Sequence, residues 1–191
     1  MSEARLSLAK SSVLSLIDAL DESHYITLIT FDSEAHPFLP TGNPMSDEMP
    51  GRTHFNNITN NIVLNEFNSS DQFALPCNND TYFTLNQYFD NLTSTDGSIA
   101  NITKAIQTAI EIDQYIWSTR SIPENALSMI ILVTDGRSVS GNGSEIIEKE
   151  IRILNKVTKI PIFTIGIGYH ANMEFLERVA GMFVVYFLSY F

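Results

Sequence analysis

The sequence predicts an α/β fold built around a parallel sheet, and two observations carry this prediction. Residues 129–133 form an uninterrupted apolar run followed by Thr-Asp-Gly at residues 134–136, which is typical of a strand buried on both faces of a parallel sheet. Elsewhere, segments with apolar residues three and four positions apart alternate with short β-branched segments. The length of 191 residues suits one domain with a sizeable core and is short for two.

The first part of the chain predicts a helix followed by two strands. Residues 2–20 carry one apolar stripe and are predicted to form an amphipathic helix against the sheet. Residues 25–31 are predicted to form a strand, and residues 35–39 a weaker one that Pro37 and Pro40 place at a sheet edge. A helix in first position is unusual, because a strand normally comes first in alternating α/β folds.

Residues 41–80 differ in composition from the rest of the chain. Pro, Gly and Asn become frequent and the apolar periodicity is lost. We interpret this segment as a surface insertion within a single domain covering residues 1–191.

The second half of the chain alternates helices and strands. Helices are predicted at residues 84–92, 99–117, 144–159 and 172–180, and strands at residues 128–134, 160–167 and within 181–191. Ser144 is predicted to be the N-cap of the third of these helices.

The composition excludes several classes of function. A formal net charge of −11 argues against nucleic acid as a partner, because a phosphate backbone requires a basic surface. Cys77 is the single cysteine, so we expect no internal disulfide and no thiolate metal cluster. The apolar residues 181–191 are about half as long as a membrane-spanning helix, and residues 1–10 do not resemble a signal peptide.

Asp135 is the first charged residue after the central strand. Ligands of open α/β sheets bind at the carboxyl ends of the strands, but a plain turn at Asp135 and Gly136 explains the same residues equally well. Nucleotide binding has weaker support, because Gly166 and Gly168 lack the third glycine of a dinucleotide fingerprint. The four histidines lie in no known nucleophile motif, so we expect a binding protein and not an enzyme.

Three segments together resemble the von Willebrand factor type A domain family: residues 130–136 with the Ser- and Gly-containing loop after them, residues 160–168, and residues 173–180. Residues 6–31 fit the same pattern. Within this family, the sequence most resembles the inter-alpha-trypsin-inhibitor heavy chains. Cys77 and the Asn-rich insertion are features in which it resembles the auxiliary subunits of voltage-gated calcium channels. The resemblance implies a Rossmann-like fold with a doubly wound, mostly parallel sheet flanked by helices.

The resemblance also implies a metal-ion-dependent adhesion site. In a complete domain of this kind, hydroxyl and carboxylate oxygens hold Mg²⁺ or Ca²⁺, and an acidic side chain of a protein partner completes the coordination. Asp135 matches the family's aspartate after the central strand. The slot of the family's threonine falls on Ala100, and Ser98 is the hydroxyl that would replace it if the loop is shifted.

One family motif is absent from the chain. The family's Asp-x-Ser-x-Ser motif ends a central strand that precedes the first helix, and this sequence starts at that helix. We therefore expect the first central strand to be missing and the metal site to be incomplete, so that the chain alone holds no metal tightly. An N-terminally truncated fragment of a longer protein is the corresponding expectation.

Two functions follow from the resemblance. The first is a protein-interaction or adhesion module; the second is a structural or regulatory domain of a larger membrane-associated assembly, as in the calcium-channel auxiliary subunits, with a degenerate metal site. An extracellular or cell-surface glycoprotein is expected, without a direct membrane span. The sequons for N-glycosylation are at Asn57, Asn68, Asn79, Asn91, Asn101 and Asn142.

Overall fold

The computed structural model describes residues 2–39, 72–94, 100–136, 142–169, 171–181 and 187–189. These residues form five helices, α1 (Glu3–Asp18), α2 (Asn79–Asn91), α3 (Ile102–Thr119), α4 (Asn142–Leu154) and α5 (Met173–Ala180). They also form seven strands, β1 (Tyr25–Ile26), β2 (Ile29–Phe31), β3 (Ala35–Pro37), β4 (Leu75–Pro76), β5 (Ile130–Thr134), β6 (Ile162–Gly166) and β7 (Phe187–Ser189).

Strands β5, β6 and β7 form a parallel sheet in that order. Ile130 is opposite Ile162 and Thr134 is opposite Gly166, so β5 and β6 end at the same edge of the sheet. Helix α4 connects β5 to β6, and α5 connects β6 to β7. These are the crossover connections that parallel strands require, and they confirm the predicted α/β class.

Helices cover both faces of this sheet. On one face, α3, α4 and α5 pack on β5 and β6 through a buried cluster composed of Ile102, Ile106, Ile110, Leu132, Ile151, Ile160, Ile162, Phe175, Leu176 and Val179. On the other face, Ala9 and Leu16 of α1 pack against Val133 and Ile165. Helix α1 therefore forms a layer of its own across the sheet from the other three.

The first strands of the chain form two separate antiparallel pairs. The predicted strand at residues 25–31 is divided, because β1 pairs with β4 and β2 pairs with β3. Phe31 of β2 packs against the cluster that contains α3, but among the described strands β5 pairs with β6 alone. The seven described strands therefore lie in three sheets.

The predicted insertion at residues 41–80 is described only from residue 72 onward. Phe73, Leu75 and Cys77 are buried, with exposed fractions of 2%, 6% and 4%. Because β4 also pairs with β1, this end of the segment is built into the fold.

Strand β5 is less buried than its sequence predicts. Leu132 is 4% exposed, whereas Ile131 and the preceding Met129 are 43% and 58% exposed. The prediction of a strand buried on both faces is therefore wrong for the first half of β5. An apolar run in the sequence indicates that a strand can be buried, but it does not indicate whether a neighbouring element covers each of its two faces.

None of the five described helices is both long and apolar enough to cross a membrane.

Candidate functional site

The candidate site lies at the edge where β5 and β6 end. The carbonyl of Thr134 accepts a hydrogen bond from the Ile167 amide at 3.0 Å, and the carbonyl of Asp135 accepts one from the Asn172 amide at 3.0 Å. The Asn172 side chain caps α5 by accepting from the Phe175 amide at 3.3 Å. The end of β5 is therefore fixed to the loop after β6 and to the start of α5.

Gly136 is required by this arrangement. Its φ angle is +60°, a conformation that costs an L side chain free energy, and a Cβ atom there would lie 3.3 Å from the Cβ atom of Asn172. The chain can turn here and still keep the Asp135 carbonyl bonded to Asn172. This glycine follows Asp135 directly and so sets the direction in which the chain leaves the site.

The carboxylate of Asp135 is paired with Arg5. A guanidinium nitrogen of Arg5, Nη1, lies 2.5 Å from Oδ2 of Asp135. The two side chains are largely buried, with exposed fractions of 26% for Arg5 and 12% for Asp135. The positively charged side chain of Arg5, in the first turn of α1, therefore lies at the carboxyl end of β5.

Gly168 accommodates the stem of Arg5. A Cβ atom on Gly168 would lie 3.1 Å from Cδ of Arg5, and the φ angle of Gly168 is +86°. Only glycine combines that backbone conformation with that close approach. Residues from α1, from the end of β5 and from the loop after β6 thus meet around one ion pair.

Of the described residues at positions that match the family's metal site, Asp135 alone carries a side-chain oxygen, and one carboxylate does not fit the coordination of Mg²⁺ or Ca²⁺. Such an ion takes about six or more oxygen ligands, and no group of three or more His, Cys, Asp or Glu side chains in the described part of the chain converges on one point. Asp135 is present, but its Oδ2 is at bonding distance from a guanidinium. Ala100, in the slot of the family's threonine, has no side-chain oxygen, and Ser98 lies outside the described residues.

An acidic cleft lies between α4 and α5, and Asn172, whose amide bonds to the Asp135 carbonyl, is one of the residues that line it. Arg178 donates to Glu148 at 2.6 Å and to Glu174 at 2.6 Å, and these hydrogen bonds raise the pKa of Arg178. Ser144 also lines the cleft, and it lies inside α4, which begins at Asn142, so its predicted role as the N-cap is wrong. Glu174 and Arg178 are four residues apart on one helix, a local signal for an ion pair, whereas Glu148 has no such signal.

A second carboxylate marks the end of β2. The Asp32 carboxylate accepts from the Glu34 amide at 2.9 Å and lies 3.4 Å from Nε2 of His36. Partial burial opposes ionisation of Asp32, but these hydrogen bonds outweigh it and lower the pKa of the carboxyl group. The Asp32 carbonyl accepts from the Asn101 amide, which connects β2 to the start of α3.

A family match agrees with this geometry. The family model described as the von Willebrand factor type A domain matches residues 54–188, which is more than half of the chain and includes β5, β6 and the connecting helices. The chain belongs to the von Willebrand factor type A domain family. The match begins after residue 53, so α1 and its Arg5 lie outside the part of the chain that the family match covers.

Similarity to individual proteins supports the same family. The chain is 32% identical over 87 residues to inter-alpha-trypsin inhibitor heavy chain H3 of Mus musculus, 30% to that of Rattus norvegicus and 31% to that of Bos taurus. In each case the matched segment is 44% of this chain and 10% of the relative. The chain therefore matches about a tenth of the length of these curated relatives. The predicted resemblance to the type A family and to the heavy chains is confirmed.

Proposed function

We propose that this type A domain is a protein-interaction module with a role in adhesion, and that it is not an enzyme. Its binding surface is the edge of the parallel sheet where β5 and β6 end, around Asp135. The proposal is supported chiefly by the family match over residues 54–188. In fold terms, we propose one domain over residues 1–191 with an insertion at 41–80 and a doubly wound sheet that lacks its first central strand.

The proposed metal site is incomplete. Asp135 and Ser98 are the candidate ligands, and Mg²⁺ or Ca²⁺ would be bound in a domain that supplies the remaining oxygens. In this chain alone we expect no tightly held metal. Two features support this: the ion pair between Arg5 and Asp135, and the absence of a side-chain oxygen from Ala100.

Site-specific photo-crosslinking tests the proposed binding surface. Tyr169 is 95% exposed and follows Gly168 at the proposed edge, whereas Leu127 is 92% exposed and precedes β5 at the opposite edge. A photoreactive residue at position 169 should capture a protein from a mixture of secreted proteins, and the same residue at position 127 should not. Equal capture at both positions, or none at 169, would reject the proposed surface.

A second function is favoured by one observation. Because Arg5 already neutralises Asp135, the site has no need of a metal, as expected for a structural or regulatory domain in a larger membrane-associated assembly. In the adhesion function, a partner's acidic side chain would bind through a metal that this chain holds only loosely, so capture at position 169 would require added Mg²⁺ and a chelator would abolish it. Capture that is unchanged by a chelator would favour the second function.

An extracellular or cell-surface location is part of the proposal. The described sequon residues Asn79, Asn91 and Asn101 are all exposed. Exposure is necessary for glycosylation, and treatment of the secreted chain with an amidase that removes N-glycans should lower its apparent mass. An unchanged mass would argue against this location.

A further inference from the structure

We infer that Arg5 is the resident cation of Asp135 and fills the position that a divalent metal would need. This inference goes beyond the proposed binding function, because it concerns the internal chemistry of the site and requires no partner. It also assigns a role to a residue of α1, outside the segment that matches the family.

The guanidinium of Arg5 already contacts the carboxylate of Asp135. Nη1 of Arg5 lies 2.5 Å from Oδ2 of Asp135, so one carboxylate oxygen is already engaged. The stem of Arg5 passes over Gly168, where a Cβ atom would approach Cδ to 3.1 Å. A side chain at position 168 would crowd this stem, so the glycine leaves room for Arg5 to reach Asp135.

The carboxylate of Asp135 is also largely buried. Asp135 is 8% exposed as a residue, and a carboxylate that is removed from water is unfavourable unless a cation or several donors compensate for it. Arg5 supplies that charge from within the chain. A divalent ion at the same oxygen would have to displace the guanidinium or tolerate a positive charge a few Å away.

The dependence of stability on divalent metal distinguishes an arginine that fills a cation's position from one that forms a merely structural ion pair. If Arg5 fills the cation's position, its removal should leave a buried negative site that accepts a divalent ion weakly. The stability of the wild-type chain should then be independent of Mg²⁺ and Mn²⁺, and that of an Arg5→Met variant should depend on them. Met keeps most of the apolar stem over Gly168 and lacks the charge.

Thermal unfolding of four proteins tests the inference: the wild-type chain, Arg5→Met, Arg5→Lys and the double variant Arg5→Met/Asp135→Asn. Each is measured with 10 mM MgCl₂, with 10 mM MnCl₂ and in NaCl of the same ionic strength. We expect Arg5→Met to melt roughly 5 °C below wild type, because a largely buried carboxylate loses the cation that Arg5 supplies. The metals should recover about 2–4 °C of this loss, as millimolar binding does.

The two remaining variants are the controls. Arg5→Lys keeps the charge and should show no metal dependence. The double variant should lose the metal response, which separates binding at Asp135 from nonspecific binding to an acidic chain of net charge −11. A wild-type chain that the metals stabilise as much as they stabilise Arg5→Met would overturn the inference, as would an Arg5→Met variant that folds and ignores both metals.

A separate measurement applies if Arg5→Met does not fold. Mn²⁺ broadens the NMR signals of nearby nuclei, and the wild-type Asp135 and Gly136 amide signals should be no more affected than those of exposed acidic residues on α2. Selective broadening at Asp135 would reject the inference. Because neither experiment uses a partner, failure here leaves the crosslinking test of the proposed function unaffected.

Discussion

Gly136 allows the backbone to turn at the end of β5. Its φ angle of +60° strains any residue with a side chain, and a Cβ atom there would lie only 3.3 Å from the Cβ atom of Asn172, so glycine suits this turn best. The carbonyl of Asp135 can then bond to Asn172 while its carboxylate pairs with Arg5. Two groups of a single residue thus connect α5 and α1 to β5.

A Gly136→Ala variant should be destabilised by about 1–3 kcal/mol, because alanine is strained at positive φ and its Cβ atom would crowd Asn172. Chemical denaturation measures the change in the free energy of unfolding. Gly143→Ala is the matched control, because no atom lies within 4 Å of a Cβ at that position in α4. We expect the control to be neutral or slightly stabilising, since alanine favours helix. Equal losses for both variants would contradict this account of Gly136.

Asp32 makes the stability of the chain depend on pH. Its pKa in the folded chain is below the ordinary aspartate value of 3.8, so its contribution to stability is present above that pH and is lost as the pH falls through the folded pKa. Unfolding followed from pH 5 to pH 2 should therefore be less dependent on pH in Asp32→Asn than in wild type. The exposed Asp90→Asn on α2 is the control, and an equally flattened profile for that variant would argue against the role of Asp32.

Asn155 determines where α4 ends. It is fully buried, its side-chain amide donates to the Ile160 carbonyl at 2.6 Å, and its Oδ1 accepts from the Ile160 amide at 2.9 Å. Thr158 donates to the same oxygen at 2.7 Å. One side chain therefore satisfies both backbone groups of Ile160 and holds the turn between α4 and β6.

An Asn155→Ala variant should lose about 2–4 kcal/mol of stability, because the amide and carbonyl of Ile160 would remain buried without these hydrogen bonds. The free energy of unfolding from urea titration is the appropriate measurement. Lys156→Ala, at the exposed neighbouring position, should change stability by less than about 0.5 kcal/mol. A small effect of Asn155→Ala would show that water replaces the amide.

The elements could be predicted from the sequence because their signals are local. The apolar spacing of α3, the β-branched run of β6 and the short helix α5 each lie within one segment of the chain, and all three elements were predicted in kind. The end of α4 was not, because the apolar pattern continues beyond Leu154 and the turn depends on the side-chain hydrogen bonds of Asn155. The Arg5 pair was also missed, since it joins residues 130 positions apart.

At the scale of the molecule, α1 packs against the end of β5, and the start of β5 on the same sheet face is more exposed. Val133 packs against α1, whereas Ile131, two residues earlier on the same face, is 43% exposed. Among the described strands, β5 also has a neighbour on only one side. An apolar residue beside an unpaired strand edge is the usual condition for edge-to-edge association.

An Ile131→Lys variant should self-associate less than wild type, because a charge at an exposed edge position opposes strand pairing between molecules. Sedimentation velocity over a range of concentrations would detect the difference. Leu132→Ala is the control on the buried face, where Leu132 is 4% exposed, and it should cost about 2–5 kcal/mol without reducing association. If Ile131→Lys lost as much stability as Leu132→Ala, the face would be covered and the account would be wrong.

The two ends of the segment between β3 and β4 are anchored in one cluster. Phe38, just after β3, and Leu75 of β4 are buried together with Ile17 of α1 and Leu85 of α2. A connection between two such fixed points costs closure entropy that grows only with the logarithm of its length, about 0.6 kcal/mol for each doubling. Evolution can therefore lengthen, shorten or replace this connection while the edge that carries Asp135 stays the same, and related proteins can differ in this part of the chain without loss of the fold.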